Sequence, residues 1–226
     1  MSTQKRFLRG VRARIDRAEE HLSELRAFFD DLRKDHLDAS AGELVTGAAT
    51  DAIGIELSEP RTSVLIGEIV YNLRDALDYL VYALAWLDSG QPQDGTQFPT
   101  DDTPAEFARH RNKYLKGISD PHVARIEDLQ PYRVDWTKLL QSLSNPDKHR
   151  HLTRLHEIGT SHYRRIGAGA RMVDESNRYT VRPPQTYERV TRTRDITFAD
   201  GTPVVDTLEK LLLRVSETLQ AFEPDF

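Results

Sequence analysis

The sequence predicts an α+β protein that is mainly α: a helical bundle of about five helices with a small antiparallel β-sheet inserted before the C-terminal helix. Three observations carry this. Two long segments, Gln4 to about Asp35 and Val64 to Leu87, repeat apolar residues at three- and four-residue steps. From about Thr153 the pattern changes to Thr, Val, Ile and Tyr punctuated by Gly and Pro. After it, DGTPVVDTLEKLLLRVSETLQAF returns to helical spacing. No internal repeat, low-complexity linker or clear boundary divides the chain. Residues 1–226 are therefore expected to form one domain, a bundle from 1–150 plus 202–226 with a β-rich insertion at about 151–199.

The first helix places Phe7, Val11, Ile15, Ala18, Leu22, Leu25, Phe29 and Leu32 on one face, and nothing breaks it after Gly10. In GELVTGAATDAIGIELSEP, the alternation of Ile53, Ile55 and Leu57 predicts a short hairpin. The strongest element follows. Pro60 precedes it, Thr62 or Ser63 can cap it and Gly90 ends it. Its apolar arc, from Leu65 to Leu84, is wide enough for a helix in the middle of a bundle. The remaining arc gathers Glu68, Tyr71, Asn72, Asp75, Asp78, Tyr79 and Tyr82, with Arg74 at its edge.

Thr103-Pro104 opens another helix to about Leu115. Ser119 and Pro121 start a short one that Pro131 stops. Val134, Trp136, Leu139, Leu140 and Leu143 mark a further helix that is expected to end near SNP. There Asp147 would cap one more turn carrying Lys148, His149 and Arg150. The segments 154–169, 177–184 and 186–198 read as strands. In the last helix Thr202 caps, Pro203 sits in the first turn, and Val205, Leu208, Leu212, Val215 and Leu219 form the stripe.

Composition excludes several classes of function. The chain has no cysteine, so disulfides, thiolate zinc sites and thiol nucleophiles are ruled out. Its N-terminus lacks the apolar core of a signal peptide, and Glu68, Asn72, Arg74, Asp75 and Asp78 interrupt the longest apolar run. A soluble, cytoplasmic protein without membrane association is expected. The net charge of −5 is uneven: residues 145–194 hold eleven Lys or Arg and five Asp or Glu, a net of +6 that leaves −11 on the rest. A basic segment on an acidic protein points to an anionic partner.

The helix GEIVYNLRDALDYLVYALA, followed by QFP, LQPY and LLQSLSNPDKHRHL, resembles a widespread group of uncharacterised bacterial proteins. The resemblance runs from roughly Ala18 to Leu152 and rests on Asn72-Leu73-Arg74 and Lys148-His149-Arg150. The same helix resembles the HEPN superfamily of helical bundles. That resemblance implies metal-free RNA cleavage by an arginine and a histidine four to six residues apart, commonly across a homodimer. Arginine would stabilise charge on phosphate while histidine moves a proton.

Two windows carry the pattern. In Arg74-Asp75-Ala76-Leu77-Asp78-Tyr79, Tyr79 stands where the histidine is expected, and a phenol with an ordinary pKa of about 10 shuttles protons poorly at neutral pH. Arg74 and Asp78 also have the spacing of a structural i,i+4 pair. In Arg150-His151-Leu152-Thr153-Arg154-Leu155-His156 the arginine has its histidine, on one side of a helix only if the helix continues to His156. The candidate catalytic residues are thus Arg150, His149 and His156, with Lys148, Arg154 and Asn72 as substrate-binding groups. Glu68, Arg74, Asp75, Asp78 and Tyr79 would support them from behind.

His149 and His151 would share one face of a strand near Asp147 and His156, but Lys148, Arg150 and Arg154 repel a cation, so no metal is expected. Glycine-rich phosphate loops, dinucleotide fingerprints and nucleophile elbows are missing, and no cofactor is expected. His21, His36, His110, His122 and His162 read as surface or satisfied residues. Two functions remain. One is a HEPN-like metal-independent ribonuclease or RNA-binding protein of bacterial stress or defence, with RNA as partner. The other is a non-enzymatic helical module that binds a protein or a small anionic ligand, its polar arc fixing helix register.

Overall fold

A computed structural model describes the backbone of residues 3–40, 44–46, 53–57, 60–148, 155–165, 172–173, 180–181 and 186–226. Side chains are described over 8–31, 60–144 and 195–226. The protein is mainly helical. Among the described residues there are six α-helices rather than about five: α1 (Thr3–Ser40), α2 (Pro60–Ser89), α3 (Pro104–Tyr114), α4 (Asp120–Glu127), α5 (Asp135–Lys148) and α6 (Val204–Phe222). The short α4 is a helix in its own right: Pro121 sits in its first turn, and Val123 and Ile126 are buried.

The chain divides into two compact units. The first comprises Met1–Leu25, Glu59–Thr153 and Val204–Phe226; the second comprises Arg26–Ser58 and Arg154–Pro203. At the centre of the first unit α2 packs against α5 and α6. Ile66, Ile69, Leu73, Leu77, Leu80 and Leu84 are almost fully buried, as the wide apolar arc requires. Each such side chain contributes about 1.5–3 kcal/mol when taken out of water. Val11, Ile15, Ala18, Leu22 and Leu25 supply the buried face of α1 in this unit.

Three local expectations are corrected. α5 does not stop at Asn145-Pro146; it runs to Lys148, so position 147 lies within it, while the turn expected at 149–150 is outside the described residues. Thr103 does cap α3, accepting a hydrogen bond from the Glu106 amide at 3.2 Å. Thr202, by contrast, directs both its amide and its hydroxyl to Asp200 Oδ1, at 3.0 and 2.7 Å, and is drawn into a turn ahead of α6. The stripe of α6 is also rotated. Val204, Leu208, Leu211, Val215, Leu219 and Phe222 are buried, while Val205 and Leu212 are half-buried, because two helical stripes share Leu208, Val215 and Leu219 and packing selects between them.

In the second unit, β1 (Leu44–Thr46), β2 (Ile53–Leu57), β3 (Leu155–Arg165) and β6 (Thr186–Phe198) pair antiparallel in the order β1-β6-β3-β2. β1 and β2 are not a hairpin with each other. β1 pairs with β6, Val45 opposite Tyr187, and β2 with β3, Ile55 opposite Glu157. Alternation reveals which residues share a face of a strand; it carries no information on the partner. A bulge falls between His162 and Tyr163. β4 (Met172–Val173) and β5 (Thr180–Val181) form a separate pair.

Candidate functional site

The polar arc of α2 lies against α1. Arg14 Nε sits 2.7 Å from Asp75 Oδ2, an ion pair without an aligned hydrogen bond, and its guanidinium lies 5.5 Å from the centre of the Tyr79 ring. Gly10 makes this possible: a Cβ there would come within 2.8 Å of the Tyr79 ring. Asn72 is buried; its Nδ2 donates to the Glu68 carbonyl at 2.7 Å, and its Oδ1 accepts a long 3.5 Å bond from Arg14. The Glu68 carboxylate lies 3.2 Å from His21 Nε2. The arc is held together by α1, one helix turn after another.

Arg74 is engaged differently. Its side chain is only 12% exposed; it donates to the Phe98 carbonyl, lies 3.7 Å from Asp78 Oδ1 and faces the Phe98 ring at 5.9 Å. Burial pushes the guanidinium below its usual range, against the opposing pull of Asp78 and Asp101. Asp78 Oδ1 in turn accepts from the Phe98 amide at 2.7 Å. Both main-chain groups of one residue are thus clamped by an i,i+4 pair. The clamp fixes the loop that follows, where the Thr100 carbonyl accepts from Gln141 at 3.0 Å and the Asp101 amide donates to Gln130 at 3.0 Å.

That loop carries a pair the sequence reading missed. Asp101 is 7% exposed, and its Oδ1 lies 2.7 Å from His110 Nδ1. Its Oδ2 is buried without a hydrogen-bond partner among the described residues. A carboxylate that orients an imidazole is a device for proton transfer, and equally for fixing a side chain. Nothing local signals it, because the two residues belong to a loop and to α3, nine positions apart.

The residues proposed for catalysis fall elsewhere. His149, Arg150 and Arg154 lie outside the described residues, as does the side chain of Lys148, the last residue of α5. His156 is in β3, in register with Glu56 on β2 and Thr197 on β6, so no helix carries Arg150 and His156 together. The structure brings together Glu68, Asn72, Asp75 and Tyr79 through α1, and Arg74 with Asp78 through Phe98. No three His, Asp or Glu converge as metal ligands among the described residues.

No family model, curated protein or solved structure matches this chain. The site therefore has to be read from its own chemistry. Among the described residues no helix is long and apolar enough to cross a membrane.

A pocket of about 370 Å³ opens between Asp75, Asp78, Tyr79 and Tyr82 of α2 and the loop residues 93–96. Spacings of three, four and seven put the four helix residues on one face. Gly117, at φ +74°, lets the chain pass close behind this loop, where a Cβ would come within 2.9 Å of the Gln93 side chain. The lining has three carboxylates, two phenols and no cationic side chain, so it does not suit an anion.

A second histidine is tied to structure. His122 Nδ1 lies 2.7 Å from Asp88 Oδ2 and its Nε2 3.4 Å from Asp225 Oδ2; Arg125 pairs with Asp225 and stacks on Phe222 at 3.8 Å. Burial pushes the Asp88 carboxyl up, but hydrogen bonds from His122 and from the Ser119 amide and hydroxyl together hold it below the usual carboxylate range. A depressed folded-state value means that the stabilisation is complete above the unfolded value and is lost as pH falls through the folded one. Asp88→Asn should therefore lower stability at pH 6 by about 1–2 kcal/mol. In thermal melts taken at successively lower pH the gap from wild type should close below the ordinary carboxylate value; a gap independent of pH would contradict this role.

Proposed function

We propose that the protein is a non-enzymatic helical binding module, in which the polar arc of α2 is scaffold and the adjoining pocket is the ligand site. One observation carries this reading. Arg74, the arginine of the first of the two windows that carry the HEPN-like pattern, is buried and committed to the Phe98 carbonyl and Asp78. A guanidinium engaged in this way has no face to offer a scissile phosphate without dismantling the loop it holds. In this reading the β-rich segment from about 151 to 199 is an antiparallel insertion into the helical bundle.

A second reading, a cytoplasmic HEPN-like ribonuclease or RNA binder acting as a homodimer, is favoured by the net +6 of residues 145–194. It needs Arg150 on phosphate, His149 or His156 moving protons, and Lys148 and Arg154 holding RNA. The two readings part in one assay. Purified protein is incubated with single-stranded and structured RNA in EDTA, beside folded His149→Ala, Arg150→Ala and His156→Ala variants. The module reading expects no cleavage that tracks the protein. Metal-independent cleavage that the folded variants lose would replace it with the nuclease reading.

A further inference from the structure

We propose that the pocket beside α2 receives a cationic nitrogen group, a guanidinium or alkylammonium, between Tyr79, Tyr82 and the carboxylates of Asp75 and Asp94. The inference rests on the reading of the protein as a binding module and names the chemistry of its ligand. A volume of about 370 Å³ admits a small molecule or one long side chain.

Carboxylates alone would not make a site. The independent observation is that the protein already seats a guanidinium on this wall. Arg14 from α1 pairs with Asp75 Oδ2 at 2.7 Å and lies 5.5 Å from the centre of the Tyr79 ring. Asp75 and Tyr79 both line the pocket, so Arg14 occupies one side of a surface whose other side is open to a ligand. Asp94 and Tyr82 supply a further carboxylate and a further aromatic ring to the same lining.

Capacity remains for a second cation. Asp75 Oδ1 and both oxygens of Asp94 have no partner among the described residues, and Asp94 is exposed on its loop. Asp78 is already occupied by the Phe98 amide and Arg74, and serves as a wall. Tyr82 is half-buried and braced edge-on by Trp86, with ring centres 6.1 Å apart, which presents a pre-set aromatic surface. An anion would meet the uncompensated carboxylate of Asp94 here, and a purely apolar ligand would leave it desolvated and unpaired.

The test is calorimetric titration of the full-length protein with two probes, free agmatine and a capped Gly-Arg-Gly peptide, with inorganic phosphate as the contrary charge. At low ionic strength at least one cationic probe should bind, and added salt should weaken it. Asp94→Asn should reduce affinity about fivefold, in line with roughly 1 kcal/mol for an exposed pair. Asp94→Lys, which places a cation at the mouth, should abolish measurable binding. Asp94 is an exposed loop residue outside the core, so both variants are expected to fold, and melting curves verify it. Stronger binding of agmatine identifies a free metabolite as the source of the group, and stronger binding of the peptide identifies a protein side chain. Failure of both probes, binding of either one unchanged in Asp94→Lys, or saturable binding of phosphate at the pocket would overturn the proposal. RNA cleavage would strike at the binding-module reading and leave cation binding standing; absence of cation binding without cleavage would strike at the pocket alone.

Discussion

Arg74→Ala is expected to unfold the protein more easily by about 3 kcal/mol, the lower end of the range for breaking a buried charge pair. The low end applies because Asp78 is 32% exposed and water can reach the abandoned carboxylate. The Phe98 carbonyl loses its donor, the i,i+4 pair is gone and the face of the Phe98 ring loses its cation. For a chain of this length the melting temperature should fall by roughly 6–12 °C. Arg74→Lys should recover only part of the loss, since an ammonium cannot present the planar fork that serves a carbonyl and a carboxylate together. Thermal melts of the three proteins decide the matter. An unchanged melting temperature accompanied by lost binding or lost RNA cleavage would make Arg74 a functional residue and overturn its role as scaffold.

Gln130→Leu should cost about 2–4 kcal/mol. Gln130 is fully buried; its Oε1 accepts from the Asp101 amide at 3.0 Å and its Nε2 donates to the Ile126 carbonyl at 3.0 Å. Leucine fills a similar volume and offers neither function, so the buried Asp101 amide loses its partner at about 1–3 kcal/mol, and the Ile126 carbonyl, which keeps the Leu129 amide, loses a second bond worth about 1 kcal/mol. The effect should extend beyond stability. Asp101 is positioned by this amide, and His110 by Asp101, so the imidazole resonances of His110 should shift in the variant while those of His122, held by Asp88 and Asp225, stay in place. A denaturation midpoint within error of wild type would mean that the loop is held by Arg74 and Gln141 without help from Gln130.

These two variants act on the same loop from opposite sides, and the loop is where sequence reasoning was weakest. Arg74 and Asp78 are legible as an i,i+4 pair, but their main partner is the peptide on either side of Phe98, twenty or more residues away. Gln130 and His110 carry no local signal, because a lone glutamine in a turn, or a lone histidine in a short helix, looks the same whether it is buried or solvated. Arg14 carries no local signal either: only the approach of α1 at Gly10 reveals that it pairs with Asp75. The pocket was half visible. Asp75, Asp78, Tyr79 and Tyr82 fall on one arc by spacing, but the opposing wall at 93–96 does not follow from any periodicity.

What the sequence determined by itself was local. Apolar period fixed the two long helices and the wide buried face of α2, and proline at the start of α3, with Thr103 before it, placed that boundary because these effects act within one turn. The tertiary structure decided everything that depends on which surfaces meet. It chose between two overlapping stripes on α6, set β1 beside β6 and β2 beside β3, and spent Arg74 on a main-chain carbonyl. A helix or strand announces its own face through the spacing of its residues. Its partner is selected by packing and by the need to satisfy buried polar groups, and those are properties of the assembled chain.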